Sequence, residues 1–129
     1  MNPVTWLRIS YWAGAVADTV IGVLTLVPSR MGETEFRYPM GLAAALMFAW
    51  AALLLWADRK PVERKGVLLI TVFPAIVGLM LSGTWAVARG LLPLARTIPS
   101  AILGVGLIAL MLYSYVNARH LSTSDEAEP

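Results

Sequence analysis

Four long apolar runs, separated by short polar stretches that carry proline, dominate the chain. The first covers about residues 6–27 and stops at Pro28. The second covers about 38–56 and is entered through Pro39. The third covers 66–88, and the fourth about 98–116. A helix of about 20 apolar residues matches the hydrocarbon thickness of a bilayer. The pattern therefore predicts an all-α polytopic membrane protein with four transmembrane helices in one bundle. The bundle occupies residues 1–121, and residues 122–129 form a polar tail expected to be disordered. Pro28, Pro39, Pro61, Pro93 and Pro99 fall at or near the predicted span ends, where a missing N–H costs little. Pro74 is expected to be the one proline inside a span, kinking the third helix.

Composition strengthens this picture. Of 129 residues, 58% are hydrophobic and only 14% charged, against about 25% charged in soluble domains. The net charge of +2 would suggest nucleic acid in a soluble chain. Here the basic residues sit between apolar runs, so topology accounts for them and no nucleic-acid partner is expected. Cysteine is absent and the one histidine, His120, lies near the C-terminus. No metal site, no cofactor and no catalytic set is expected, and the reading is of a protein that is not an enzyme.

Orientation follows from lysine and arginine. Arg8, Arg59, Lys60, Arg64, Lys65 and Arg119 flank one side; Arg30, Arg37, Arg89 and Arg96 flank the other. The short loop with four basic residues carries most weight. It predicts a multi-pass protein of the cell (inner) membrane with cytoplasmic N- and C-termini. Ala15-Val16-Ala17 resembles a signal-peptide cleavage site, but the apolar run continues through Val27, so cleavage is not expected. Trp6, Trp56, Tyr113 and Tyr115 mark the inner boundary, Tyr38 and Trp85 the outer one.

Residues three or four apart share a helical face. Tyr11, Gly14, Asp18, Gly22 and Thr25 do so in the first span, and Gly41, Ala45, Ala49 and Ala52 in the second. Thr71, Pro74, Gly78, Ser82, Trp85 and Arg89 do so in the third, and Ser100, Gly104, Leu107, Met111 and Ser114 in the fourth. Lipid gives no hydrophobic drive between helices, so small residues that permit close approach are predicted to face inward. Gly14, Gly22, Gly41, Ala45, Ala49, Gly78 and Gly104 are the expected packing positions. Glu33 and Glu35 with Arg37, Arg89 and Arg96 form a charged rim at the outer side, read as ordinary boundary charge.

Asp18 is the residue that carries chemistry. It lies near mid-membrane, about 15 Å from either interface at 1.5 Å per residue. An ionised carboxylate there costs roughly 2.5–3.5 kcal/mol on insertion scales. No cation lies at matching depth, so a neutral carboxyl is expected, hydrogen-bonded to Thr71, Ser82 or Tyr11. Such a group is either a bond between helices or a proton or ligand site; both readings stand. Tyr11, Thr71, Ser82, Trp85 and Arg89 are the companion candidates.

The stretch from Trp56 to Thr71, with Arg37-Tyr38-Pro39-Met40-Gly41, resembles a group of small uncharacterised four-helix prokaryotic membrane proteins, loosely similar to DoxX-like proteins. That implies the fold and no activity. Gly14-Ala15-Val16-Ala17-Asp18-Thr19-Val20-Ile21-Gly22 resembles the first helix of small multidrug resistance transporters. In those, a membrane-embedded glutamate binds protons and cationic substrates in turn, which would give Asp18 the coupling role. This chain has Asp in place of Glu, and its other helices match poorly. Three functions follow as expectations. The first is a structural or accessory bundle whose partners are the lipid bilayer and further copies or a larger membrane complex. The others are a proton- or cation-coupled small transporter or channel using Asp18, and a bundle binding lipid or an apolar ligand between helices.

Overall fold

A computed structural model describes residues 1–31 and 37–126, without the side chains of residues 30, 31, 125 and 126. Four helices dominate it: α1 (Pro3–Leu26), α2 (Arg37–Asp58), α3 (Gly66–Ala88) and α4 (Leu94–Ala118). Each is long and apolar enough to cross a bilayer. A single helical turn, Pro28–Met31, follows α1, and Thr123–Glu126 make one 3₁₀ turn in the expected tail. Glu33 and Glu35, two of the rim residues, lie outside the described residues.

Local chemistry sets the helix ends. Asn2 caps α1, its side-chain oxygen accepting from Val4 N–H at 3.0 Å, with Pro3 in the first turn. At the other end of α3, Gly90 takes φ +71°. Its N–H donates to the Val87 carbonyl while Leu91 N–H donates to that of Ala86, each at 2.9 Å. This crossed pair satisfies two of the last carbonyls of α3 and needs a left-handed residue, hence glycine. α4 begins at Leu94, earlier than the predicted 98, so Pro99 lies inside a helix and Pro74 is not alone in doing so. A proline is tolerated in a membrane helix where local adjustment takes up the lost bond.

α3 is not simply kinked at Pro74. Between Thr71 and Val77 it widens into a π-helical stretch that contains Pro74. Wider turns of this kind accommodate a proline that cannot donate, and they recur at functional sites.

The core lies in the half of the bundle where α1 begins and α4 ends. Leu7, Tyr11 and Ala15 of α1 pack there with Ala51, Leu54 and Ala57 of α2. Leu68, Val72 and Ile76 of α3 join them, with Met111 and Ala118 of α4. Polar clasps reinforce this end. Ser10 and Ser114 hydroxyls meet at 2.6 Å, and Ser114 Oγ lies 3.0 Å from the Trp6 carbonyl and 2.8 Å from that of Leu110. Trp6 and Tyr113 rings meet edge to face at 5.1 Å. Lys65 Nζ donates to the carbonyls of Ala118, Arg119 and Leu121 at 3.0, 3.1 and 2.9 Å. A cation there meets both the free carbonyls and the negative end of α4. Arg64 stacks 3.4 Å over the Trp56 ring and donates to the Trp56 carbonyl.

The far half is looser: no residue from Gly78 to Ala88 is buried. α1 packs on α2 and α4, and α3 packs on α4, whereas α2 and α3 approach each other less closely. This arrangement corrects part of the small-residue expectation. Gly14, Gly22 and Gly104 do face neighbours. A Cβ at Gly14 would lie 2.7 Å from Met111 Cε and 2.8 Å from Leu54 Cδ1. At Gly22 it would meet the Phe48 ring at 2.8 Å, and at Gly104 the Met80 sulfur at 3.1 Å. In α2, however, Ala45, Ala49 and Ala52 are exposed, a Cβ on Gly41 would touch nothing, and the buried face is Ala44, Ala51, Leu54 and Ala57. Gly78 also has open space beside it. The face of α2 is chosen by its large side chains: Phe48 and Leu54 fill the hollows left by Gly22 and Gly14, and the small-residue seam is turned outward.

Candidate functional site

The gap between α2 and α3 is a cleft of about 400 Å³ at the middle of the bundle. α1 gives Gly14 and Asp18 to it, α2 gives Leu46, Met47 and Trp50, and α4 gives Leu107 and Met111. α3 supplies the longest wall, from Thr71 through Pro74, Ala75, Ile76 and Gly78 to Ser82. Most of that wall is the π-helical stretch and the turn after it. Leu46 and Leu79, on opposite lips, are strongly exposed, at 69% and 53%. The cleft therefore opens sideways, towards where acyl chains lie, rather than to either end.

Sequence placed Asp18 at this depth through the spacing of charges and prolines, and the fold turns it towards the cleft. It is half-buried and has no hydrogen bond or ion pair among the described residues. The partners expected for it are engaged elsewhere. Tyr11 Oη donates to the Pro61 carbonyl at 3.0 Å, near the termini. Thr71 Oγ1 donates to the Val67 carbonyl at 2.8 Å and accepts from Trp50 Nε1 at 3.0 Å. Ser82 donates to the Gly78 carbonyl at 2.9 Å. Thr71 and Ser82 share the cleft with Asp18, but as walls; Tyr11 is not in it. Trp85 and Arg89 are not in it either. They are exposed at the far end of α3, with the Arg89 guanidinium 5.6 Å from the Trp85 ring centre.

Among the cleft residues that sequence reasoning passed over, Trp50 is the one with a polar group. Its indole N–H ties α2 to Thr71, the one polar bridge across the α2–α3 gap among the described residues, and its ring lines the cleft. A tryptophan deep inside a span, away from the headgroup boundary, was the available signal. Asp58 is a second carboxylate of note. Its Oδ2 accepts from Trp12 Nε1 at 3.2 Å, while its Oδ1 is buried without a partner among the described residues. It belongs to the terminal end and not to the cleft. In the loop beside it Lys60 and Glu63 pair at 2.9 Å; that hydrogen bond holds the Glu63 carboxyl below its ordinary range. Both groups are exposed, so the pair contributes little.

Chemically, the cleft offers a long apolar surface and one carboxyl whose bonding capacity is unspent. The molecule thus defines a class: a polytopic four-helix bundle with a lateral, acid-bearing cleft. No protein-family model, no curated protein and no solved structure matches the chain.

Proposed function

We propose that this protein binds an amphipathic ligand that enters from the bilayer between α2 and α3, with Asp18 as the ligand's single polar anchor. The carrying observation is the unpartnered Asp18 carboxyl in an apolar cleft of about 400 Å³, a size within the range of small-molecule sites, about 300–1,000 Å³. A carboxyl half-withdrawn from water without a partner is costly, and a ligand that donates a hydrogen bond or carries a positive charge lowers that cost. The preferred class is therefore a lipophilic amine, with its alkyl part against Leu46, Met47, Leu79 and Leu107. In this reading the chain sits in the cell (inner) membrane with both termini in the cytoplasm. A second reading, a structural bundle that associates with other copies, is favoured by the outward-facing Ala45, Ala49 and Ala52 seam.

A series of one chain length separates the two. Dodecylamine, dodecanol and dodecanoate are titrated against the purified protein in detergent, following tryptophan fluorescence. Amine is expected to bind about ten-fold or more above alcohol, as hydrogen bonds to charged groups are worth about 1.5–3 kcal/mol, with dodecanoate weakest. Asp18→Asn should erase the amine preference without changing the folded bundle. Equal binding of all three, or an amine preference that survives Asp18→Asn, would rule the reading out.

A further inference from the structure

The far end of the bundle carries a second, separate groove, of about 700 Å³. One wall is the last turns of α1, including Val20, Leu24 and Thr25, and the other is the first turns of α4, including Arg96, Ser100 and Leu103. Its shape follows from the loose packing of this half. The groove runs along the helices for about 10 Å from Arg96 to Leu103, at 1.5 Å per residue. Apart from Arg96 its lining among the described residues is uncharged. Arg96 itself is exposed and has no ion pair among the described residues. It stands in the first turn of α4, at the depth where a span beginning at Leu94 meets the headgroups.

We infer that this groove holds one anionic phospholipid of the adjoining leaflet, its phosphate against Arg96 and an acyl chain lying between α1 and α4. Charge and polarity divide along the groove as they do along such a lipid. The guanidinium sits at the headgroup end and matches a phosphate in planar, two-pronged fashion. Below it, Leu24 and Leu103 present methyl groups to a chain. The positive end of the α4 dipole has the same sign as Arg96 and adds to the attraction. A zwitterionic lipid would fill the apolar part equally and lose the net charge. The site is independent of the Asp18 cleft, with which it shares no lining residue.

The test compares phosphatidylglycerol and phosphatidylcholine of identical acyl chains on the purified full chain, by native mass spectrometry of retained adducts. Wild type should retain phosphatidylglycerol about five-fold over phosphatidylcholine, the scale of one basic residue near a membrane surface. Arg96→Gln should bring the ratio to about one. Ser100→Phe, which fills the groove from an exposed position, should lower retention of both lipids. Arg37→Gln, at the same end but outside the groove, should leave the preference intact. Glycerophosphoglycerol, the headgroup without chains, should not compete. The inference fails if wild type shows no preference, if the preference survives Arg96→Gln, if Arg37→Gln removes it equally, if Ser100→Phe retains lipid unchanged, or if the chainless headgroup displaces the lipid.

Discussion

Gly14→Leu is expected to destabilise the bundle by about 2 kcal/mol, within the range for overpacking a close contact. Its first added atom alone would fall within 3 Å of both Met111 and Leu54. Those side chains can turn their tips aside, but they come from α4 and α2 at once, so a leucine pushes α1 from two neighbours. Unfolding in mixed detergent micelles measures the loss. Gly78→Leu is the control: it has open space beside it and should leave the unfolding midpoint unchanged within error while obstructing the cleft. If the two variants behaved alike, the packing described for α1 would be wrong.

Lys65→Met should cost a comparable amount, about 2 kcal/mol, because hydrogen bonds to a charged group are each worth more than neutral ones. Methionine keeps the apolar stem and removes the ammonium that gathers three carbonyls at the end of α4. The effect should appear as faster amide hydrogen exchange over Val116–Leu121, ahead of the rest of α4. Lys60→Met, earlier in the same loop and paired with exposed Glu63, should leave both exchange and stability where they were. Matching losses in the two variants would show that Lys65 acts by loop charge alone.

Much of the fold is legible from hydropathy and proline spacing. Spans of about 20 residues have few alternatives once lipid is the solvent, since every backbone group must be satisfied within the helix. The inward faces of α1 and α4 are legible as well, because each carries one stripe of small or polar residues on an otherwise bulky surface: Gly14, Asp18 and Gly22 on one, Gly104, Met111 and Ser114 on the other. α2 defeats that logic. Alanine occurs at 43, 44, 45, 49, 51, 52 and 57, so small residues appear on several faces, and the choice falls to Phe48 and Leu54 finding the glycine hollows of α1. That is a property of two helices together, which no single-helix pattern contains. The π-helical stretch is hidden for a related reason: Pro74 announces a weakened ladder without saying whether the chain bends or widens.

The candidate site divides in the same way. Asp18 stands out because an acid at that depth is rare and costly. Its surroundings do not, because hydroxyls in a membrane helix satisfy themselves on carbonyls of the preceding turn, as Thr71 and Ser82 do. Residues of suitable chemistry at suitable depth therefore stand near the acid without bonding to it. Lys65 shows the converse. By sequence it is one of four basic residues in a topology-setting loop; in the fold it is also the clasp on α4.

The most direct test uses a lipid-soluble carbodiimide on the protein in intact membranes, with the modified residue located by peptide mass spectrometry. A carboxyl open sideways to the acyl chains should be the first to react: Asp18 should take up the reagent ahead of Asp58 and Glu63, and Gly78→Phe should protect it. A water-soluble carbodiimide should reverse that order. Asp18 left unmodified by the lipid-soluble reagent, or modified just as fast by the water-soluble one, would contradict a mid-membrane cleft opening between α2 and α3.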